Sequence, residues 1–289
     1  MSLVTRLHTW GSLVKFSHSV FALPFAIVMA LVVGRRAPPS LSTVACLLVC
    51  IVAARTAAMG FNRIVDRAID AQNPRTAMRE IPRGAVSLAE AITLTAFSAG
   101  VFMAGAALIG THCLVMAPLV LALLLGYSLL KRYTSACHFV LGLALACAPG
   151  GVWYALTGEW STKPLPLMIA VMAWVAGFDI LYSVQDIEFD RRSGLWSVPA
   201  RLGSAGAMRV AAGLHIITVL ALADFGNEFV LGAPYWIGLA LFAALLANQY
   251  VMIQRRGTGC IDQVFFTRNG LASVLLCLSV LADVLLRSH

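Results

Sequence analysis

Apolar positions in this chain come in long unbroken blocks, neither alternating as in a half-buried strand nor confined to one stripe as on the helix of a soluble protein. A bilayer core of about 30 Å is crossed by about 20 consecutive apolar residues in a helix. Blocks of that order fall at 17–33, 42–61, 88–109, 114–130, 136–156, 165–184, 205–223, 235–253 and 270–286. Lipid offers no partner to backbone N–H and C=O groups, so such blocks must satisfy them internally as helices. The pattern predicts an all-α polytopic membrane protein: about nine transmembrane helices around a central cavity, in a single domain over 1–289. No small-residue cleavage site follows the first block, which is therefore read as a retained span.

Composition agrees with lipid as the solvent. Hydrophobic residues make up 60% of the 289 positions and charged residues 12%, half the roughly 25% of a soluble domain. The seven cysteines are odd in number, lie mostly inside apolar runs and form no CxxC pair, so neither a disulfide framework nor a zinc site is predicted. A net charge of +8 would suit nucleic acid, but no polar segment is long enough to fold a binding domain. The basic residues sort by membrane side instead. With the N-terminus in the cytoplasm, sixteen of the 21 Lys and Arg fall on the cytoplasmic face and four on the other, with Arg55 inside a span. That bias predicts the orientation and an odd number of spans, in an integral protein expected in a bacterial cytoplasmic (inner) membrane.

Two cytoplasmic loops interrupt the apolar pattern, Asn62–Ser87 and Gln185–Gly203. They hold Asp66, Asp70, Glu80, Asp186, Glu188 and Asp190, nearly half of the 13 acids, and are expected to cap the helices. Asn62, Asp66 and Asp70 recur every four residues, as do Asp186 and Asp190, which puts each set on one helix face. Two carboxylates about 5 Å apart repel by about 3 kcal/mol at an effective dielectric near 20, so a cation belongs among them. Carboxylates and an amide carbonyl, with no His or Cys nearby, select a hard ion and predict magnesium. Magnesium is commonly held by a few carboxylates together with substrate phosphates. Arg75, Arg79, Lys131, Arg132 and Arg192 stand nearby in the sequence to neutralise such phosphates. A greasy diphosphate is the expected substrate, because the motifs sit at the ends of lipid-facing helices.

These residues carry a resemblance. NRIVDRAIDAQNPRT resembles the NxxxDxxxD signature of the UbiA-type intramembrane prenyltransferases, and DIEFD resembles their second, DxxxD, signature. RTAMREIPRG, YSLLKRYT and SVPARLG extend the likeness along nearly the whole chain, which is most similar to 4-hydroxybenzoate polyprenyltransferases. One departure is Arg63, where many members carry an acid. The resemblance implies transfer of a polyprenyl group from its diphosphate to the ring of an aromatic acid in respiratory quinone synthesis. A carboxylated naphthol of menaquinone synthesis is the alternative acceptor. It also implies that Asn62, Asp66, Asp186 and Asp190 hold magnesium, with Asp70 beside them, and that Asp66 and Asp190 are catalytic.

A charge within a span is costly and marks function by default. Arg55 is accordingly expected to receive the acceptor's carboxylate or to stabilise the acid cluster, and Asp179, in the sixth span, to orient the acceptor or help take up its proton. His138 and His215 are read as structural. A transporter is the rival class, but its acids should be spread through the spans near the bilayer midplane rather than gathered at one face.

Overall fold

The computed structural model describes residues 9–13, 23–35, 37–263 and 267–287. Among them no strand forms, and eight helices are long and apolar enough to cross a membrane. The start of the first expected span, residues 17–22, lies outside the described residues; its remainder is the 12-residue helix α1, Leu23–Gly34. Contacts divide the chain into two compact units, one comprising Met1–Ser19 with Ser40–Leu130 and the other Val20–Pro39 with Lys131–His289.

The first unit is built on α2, Leu41–Gln72, whose 32 residues span about 48 Å, well beyond the bilayer core. It starts at Ser40, whose hydroxyl accepts the Thr43 N–H. The excess length explains why half of the first polar loop is helix: Asn62–Gln72 simply continues the span. Next come α3, Leu88–Ile109, opened by a capping box between Ser87 and Glu90, and α4, Thr111–Gly126, which tightens into 3-10 turns over Tyr127–Arg132. Small residues bring α2 and α3 together, since a methyl group at Gly60 would run into Thr95 and one at Gly105 into Cys50.

The second unit contains α1, α5 (Cys137–Thr157) and α6 (Leu165–Ser183). A 3-10 turn over Val184–Asp186 leads into the short α7, Ile187–Arg192. Then follow α8 (Val198–Glu228), α9 (Ala233–Arg256) and α10 (Asn269–Arg287). The second polar loop is thus mostly helical too. Ser197 caps α8 by accepting the Ala200 N–H, Pro199 suits the first turn, and a break at Gly203 (φ 68°) ends that piece before the apolar span.

Helix α6 is the core of this unit. Its Trp174 is fully buried, packs against Phe25, Phe178 and Phe242, and donates Nε1–H to Asn269 Oδ1 at 3.0 Å. The buried Asp283 of α10 is compensated by Arg35 at 2.5 Å, by Arg287 at 3.4 Å and by the Gly232 N–H at 2.7 Å.

Candidate active site

In the first unit the three predicted ligands lie on the last turns of α2. Asn62 Nδ2 donates to Asp66 Oδ2 at 3.0 Å, so this pair shares one face as the four-residue spacing requires. Asp70 is buried; its Oδ1 lies 2.6 Å from an Arg79 guanidinium nitrogen, and its Oδ2 is buried without a hydrogen-bond partner. Arg79 reaches back because the chain folds tightly after α2. Asn73 Oδ1 accepts the Arg75 N–H at 3.0 Å, and the Asn73 carbonyl accepts the N–H groups of Thr76 and Ala77. The Thr76 hydroxyl then closes onto the Asp70 carbonyl at 3.1 Å.

Arg63 is buried apart from this row. One residue beyond Asn62, it is turned about 100° around the helix, and its Nε donates to the Leu13 carbonyl at 3.3 Å. Ser12 donates to Glu80 Oε1 at 2.5 Å, so residues of the 9–13 turn are pinned to the returning loop. Arg63 thus reaches the Leu13 carbonyl while remaining in the field of Asp70 and Glu80. Arg55 sits about two turns before Asn62 with its Nε buried and unpartnered, while Arg75 is exposed.

The second unit gathers its acids more tightly. Asp190 is wholly buried and its Oδ1 lies 2.8 Å from Lys131 Nζ, whereas its Oδ2 has no hydrogen-bond partner. Backbone bonds hold the two strands of chain together: the Lys131 carbonyl accepts the Trp196 N–H and the Asp190 carbonyl accepts the Leu195 N–H, each at 2.8 Å. Asp186 is buried one turn before Asp190, and the Lys131 ammonium lies in the field of Asp190, Asp186 and Asp179. Arg132 follows Lys131 and is half-buried. Arg191 is tied to the Ala200 carbonyl at 2.7 Å, while Arg192 lies at the surface, 3.5 Å from Glu188.

Asp179 has a partner that sequence reading did not pair with it. His138 Nδ1 stands 2.6 Å from Asp179 Oδ2, and His138 Nε2 accepts the Val198 N–H at 3.3 Å. Residues 138 and 179 are 41 apart on different helices, a separation to which no spacing rule applies.

Within the described residues of either unit, no three His, Cys, Asp or Glu side chains are grouped closely enough to hold a metal ion by themselves. The donors nevertheless suit a hard ion. All are oxygens, and the buried Oδ2 atoms of Asp70 and Asp190 lack partners. Two or so carboxylates that await phosphate oxygens to complete the shell are the usual setting for magnesium.

Residues 22–271 match the UbiA prenyltransferase family. The chain belongs to that family. It is an integral membrane prenyltransferase, and its UbiA relatives match it almost end to end. The 4-hydroxybenzoate octaprenyltransferase of Sodalis glossinidius is 26% identical over 97% of both chains. The enzyme of that name from Pseudomonas syringae pv. tomato is 28% identical over 93% of this chain and 90% of its own. Among solved structures, the apo UbiA homolog from Aeropyrum pernix K1 is 35% identical, with a TM-score of 0.84 over 92% of this chain and 98% of that one. A UbiA homolog from Archaeoglobus fulgidus, bound to GPP and Mg2+, shares the fold at 19% identity and a TM-score of 0.68, over 96% and 99% of the two chains.

Proposed function

We propose that this prenyltransferase moves a polyprenyl group from its diphosphate to the ring of a 4-hydroxybenzoate-type acid, in respiratory quinone synthesis and with magnesium. The observation that carries this reading is a repeated one. Each acidic segment buries a carboxylate that is half neutralised by its own base, Asp70 by Arg79 and Asp190 by Lys131, and leaves the other oxygen unsatisfied. An unsatisfied buried polar group costs about 1–3 kcal/mol, and more when charged, which a functional site tolerates and a purely structural one removes. The names of the similar octaprenyltransferases support the acceptor class.

Asn62, Asp66, Asp186 and Asp190, with Asp70 beside them, would hold the ion. Bound magnesium would supply positive charge against the diphosphate as that group departs. Lys131, Arg132, Arg75, Arg79 and Arg192 would take the remaining phosphate oxygens, Lys131 and Arg79 exchanging part of their present carboxylate contacts for them. The allylic C–O bond breaks with its electrons going to the diphosphate. The ring carbon ortho to the acceptor's phenol forms the new C–C bond, and the ring proton passes to Asp179. Arg55, whose Nε lacks a partner, would receive the acceptor's carboxylate. Exclusion of water protects the allylic cation from capture. The sixteen-to-four split of basic residues supports a cytoplasmic mouth on a bacterial inner membrane.

The test is direct. Membranes containing the protein are incubated with a polyprenyl diphosphate, magnesium and either 4-hydroxybenzoate or a hydroxynaphthoate, and products are identified by mass spectrometry. Prenylated hydroxybenzoate is the expected product. Prenylated naphthoate alone would move the acceptor to the naphthol class, and product from neither acid would overturn the reading.

A further inference from the structure

We infer that His138 is the positioning residue for Asp179, a neutral imidazole that fixes the carboxylate without neutralising it. The inference rests on the reading of Asp179 as the group that takes up the ring proton.

Both ring nitrogens of His138 are engaged. Nε2 faces the Val198 N–H at 3.3 Å, and a backbone amide can only donate, so Nε2 must present its lone pair. The ring proton is then on Nδ1, where it is donated to Asp179 Oδ2 at 2.6 Å. A protonated imidazole would turn an N–H against the Val198 N–H, two donors facing each other in a buried setting. The network thus selects the neutral Nδ1–H form.

Such a partner suits a proton acceptor. An ammonium or guanidinium in its place would form a full ion pair and reduce the carboxylate's hold on an incoming proton. A neutral N–H directs the carboxylate and leaves its charge available. Exposure divides in the same sense, because the His138 side chain is 4% exposed and that of Asp179 26% exposed. The holder is sealed and the held group keeps an open edge. Ser183 adds a fixed backbone by donating to the Asp179 carbonyl at 2.6 Å. The Val198 amide belongs to the first turn of α8, directly after Ser197, so one imidazole joins α5, α6 and the start of α8.

Three variants test this. His138→Leu removes both bonds, His138→Gln keeps a donor for Asp179 and an acceptor for Val198, and Asp179→Asn removes the base. Since a positioned general base contributes about 10²–10⁴-fold, His138→Leu is expected to lower kcat by about 30-fold. KM for the prenyl diphosphate should stay within about twofold of the parent protein, and His138→Gln should recover kcat to within about fivefold. A change of packing alone would not be repaired by the polar Gln. Melting in detergent is followed in parallel, and if His138→Leu lacks a native transition, His138→Met takes its place. Wild-type kcat in the apolar variant, or equal losses in the Gln and apolar variants, would overturn the positioning role. Wild-type turnover in Asp179→Asn would instead overturn the underlying assignment of the base. An inactive Asp179→Asn beside a fully active apolar His138 variant would sink the positioning role alone.

Discussion

The two acidic segments solve the same electrostatic problem differently. In the first unit, Asn62, Asp66 and Asp70 ride on one continuous helix, and their shared direction comes from its period. Their base, Arg79, returns from a turn only nine residues on, so acid and base belong to one local stretch of chain. In the second unit, Asp186 and Asp190 sit where a 3-10 turn meets a six-residue helix, and Asp190 is entirely buried. Its base, Lys131, comes from 59 residues earlier, its side chain 35% exposed against 23% for Arg79, and its carbonyl accepts the Trp196 N–H of the following loop. A local device can adjust when phosphate arrives. The long-range device is set by the fold around a wholly buried Asp190, so its members should be the less replaceable.

Predictions follow that gradient. Asp190→Ala should cost most, about 10³-fold in kcat, the upper end for losing one preorganised charge-stabilising group. Near-normal prenyl transfer by this variant, assayed with a radiolabelled diphosphate, would remove its role. Lys131→Ala should lower kcat by about 10²-fold, and also the melting temperature, because it leaves the wholly buried Asp190 carboxylate without its ionic partner. Arg79→Ala, in the local device, should cost about tenfold, mostly as a higher KM for the diphosphate. Arg192→Ala should change that KM by no more than about threefold, because an exposed ion pair contributes little. If Arg79 and Lys131 proved equally sensitive, local against long-range placement of the base would not be what separates the two segments.

The same contrast explains what could be read from the sequence. Eight spans and the acid rows were legible, because length, hydropathy and a four-residue period are local properties. The four-residue period also implied that α2 continues through the acid row, whereas its end at Gln72 was not legible, since the turn that stops it depends on the fold of the loop. Arg63 shows the limit of motif reading. Its neighbour Asn62 faces the acid row, but its own partner is the Leu13 carbonyl, 50 residues away. The pairing of His138 with Asp179 is of the same kind, made by the packing of α5 against α6 rather than by spacing.

The proposed function requires both acidic segments in one transfer reaction, and a double-mutant comparison tests that proposal most directly. Single-turnover prenyl transfer would be measured for Asp66→Ala, Asp190→Ala and the pair together. Groups acting as a unit are strongly non-additive, so the double variant should be little slower than the worse single one. Losses that multiply, as for independent sites, would contradict the account.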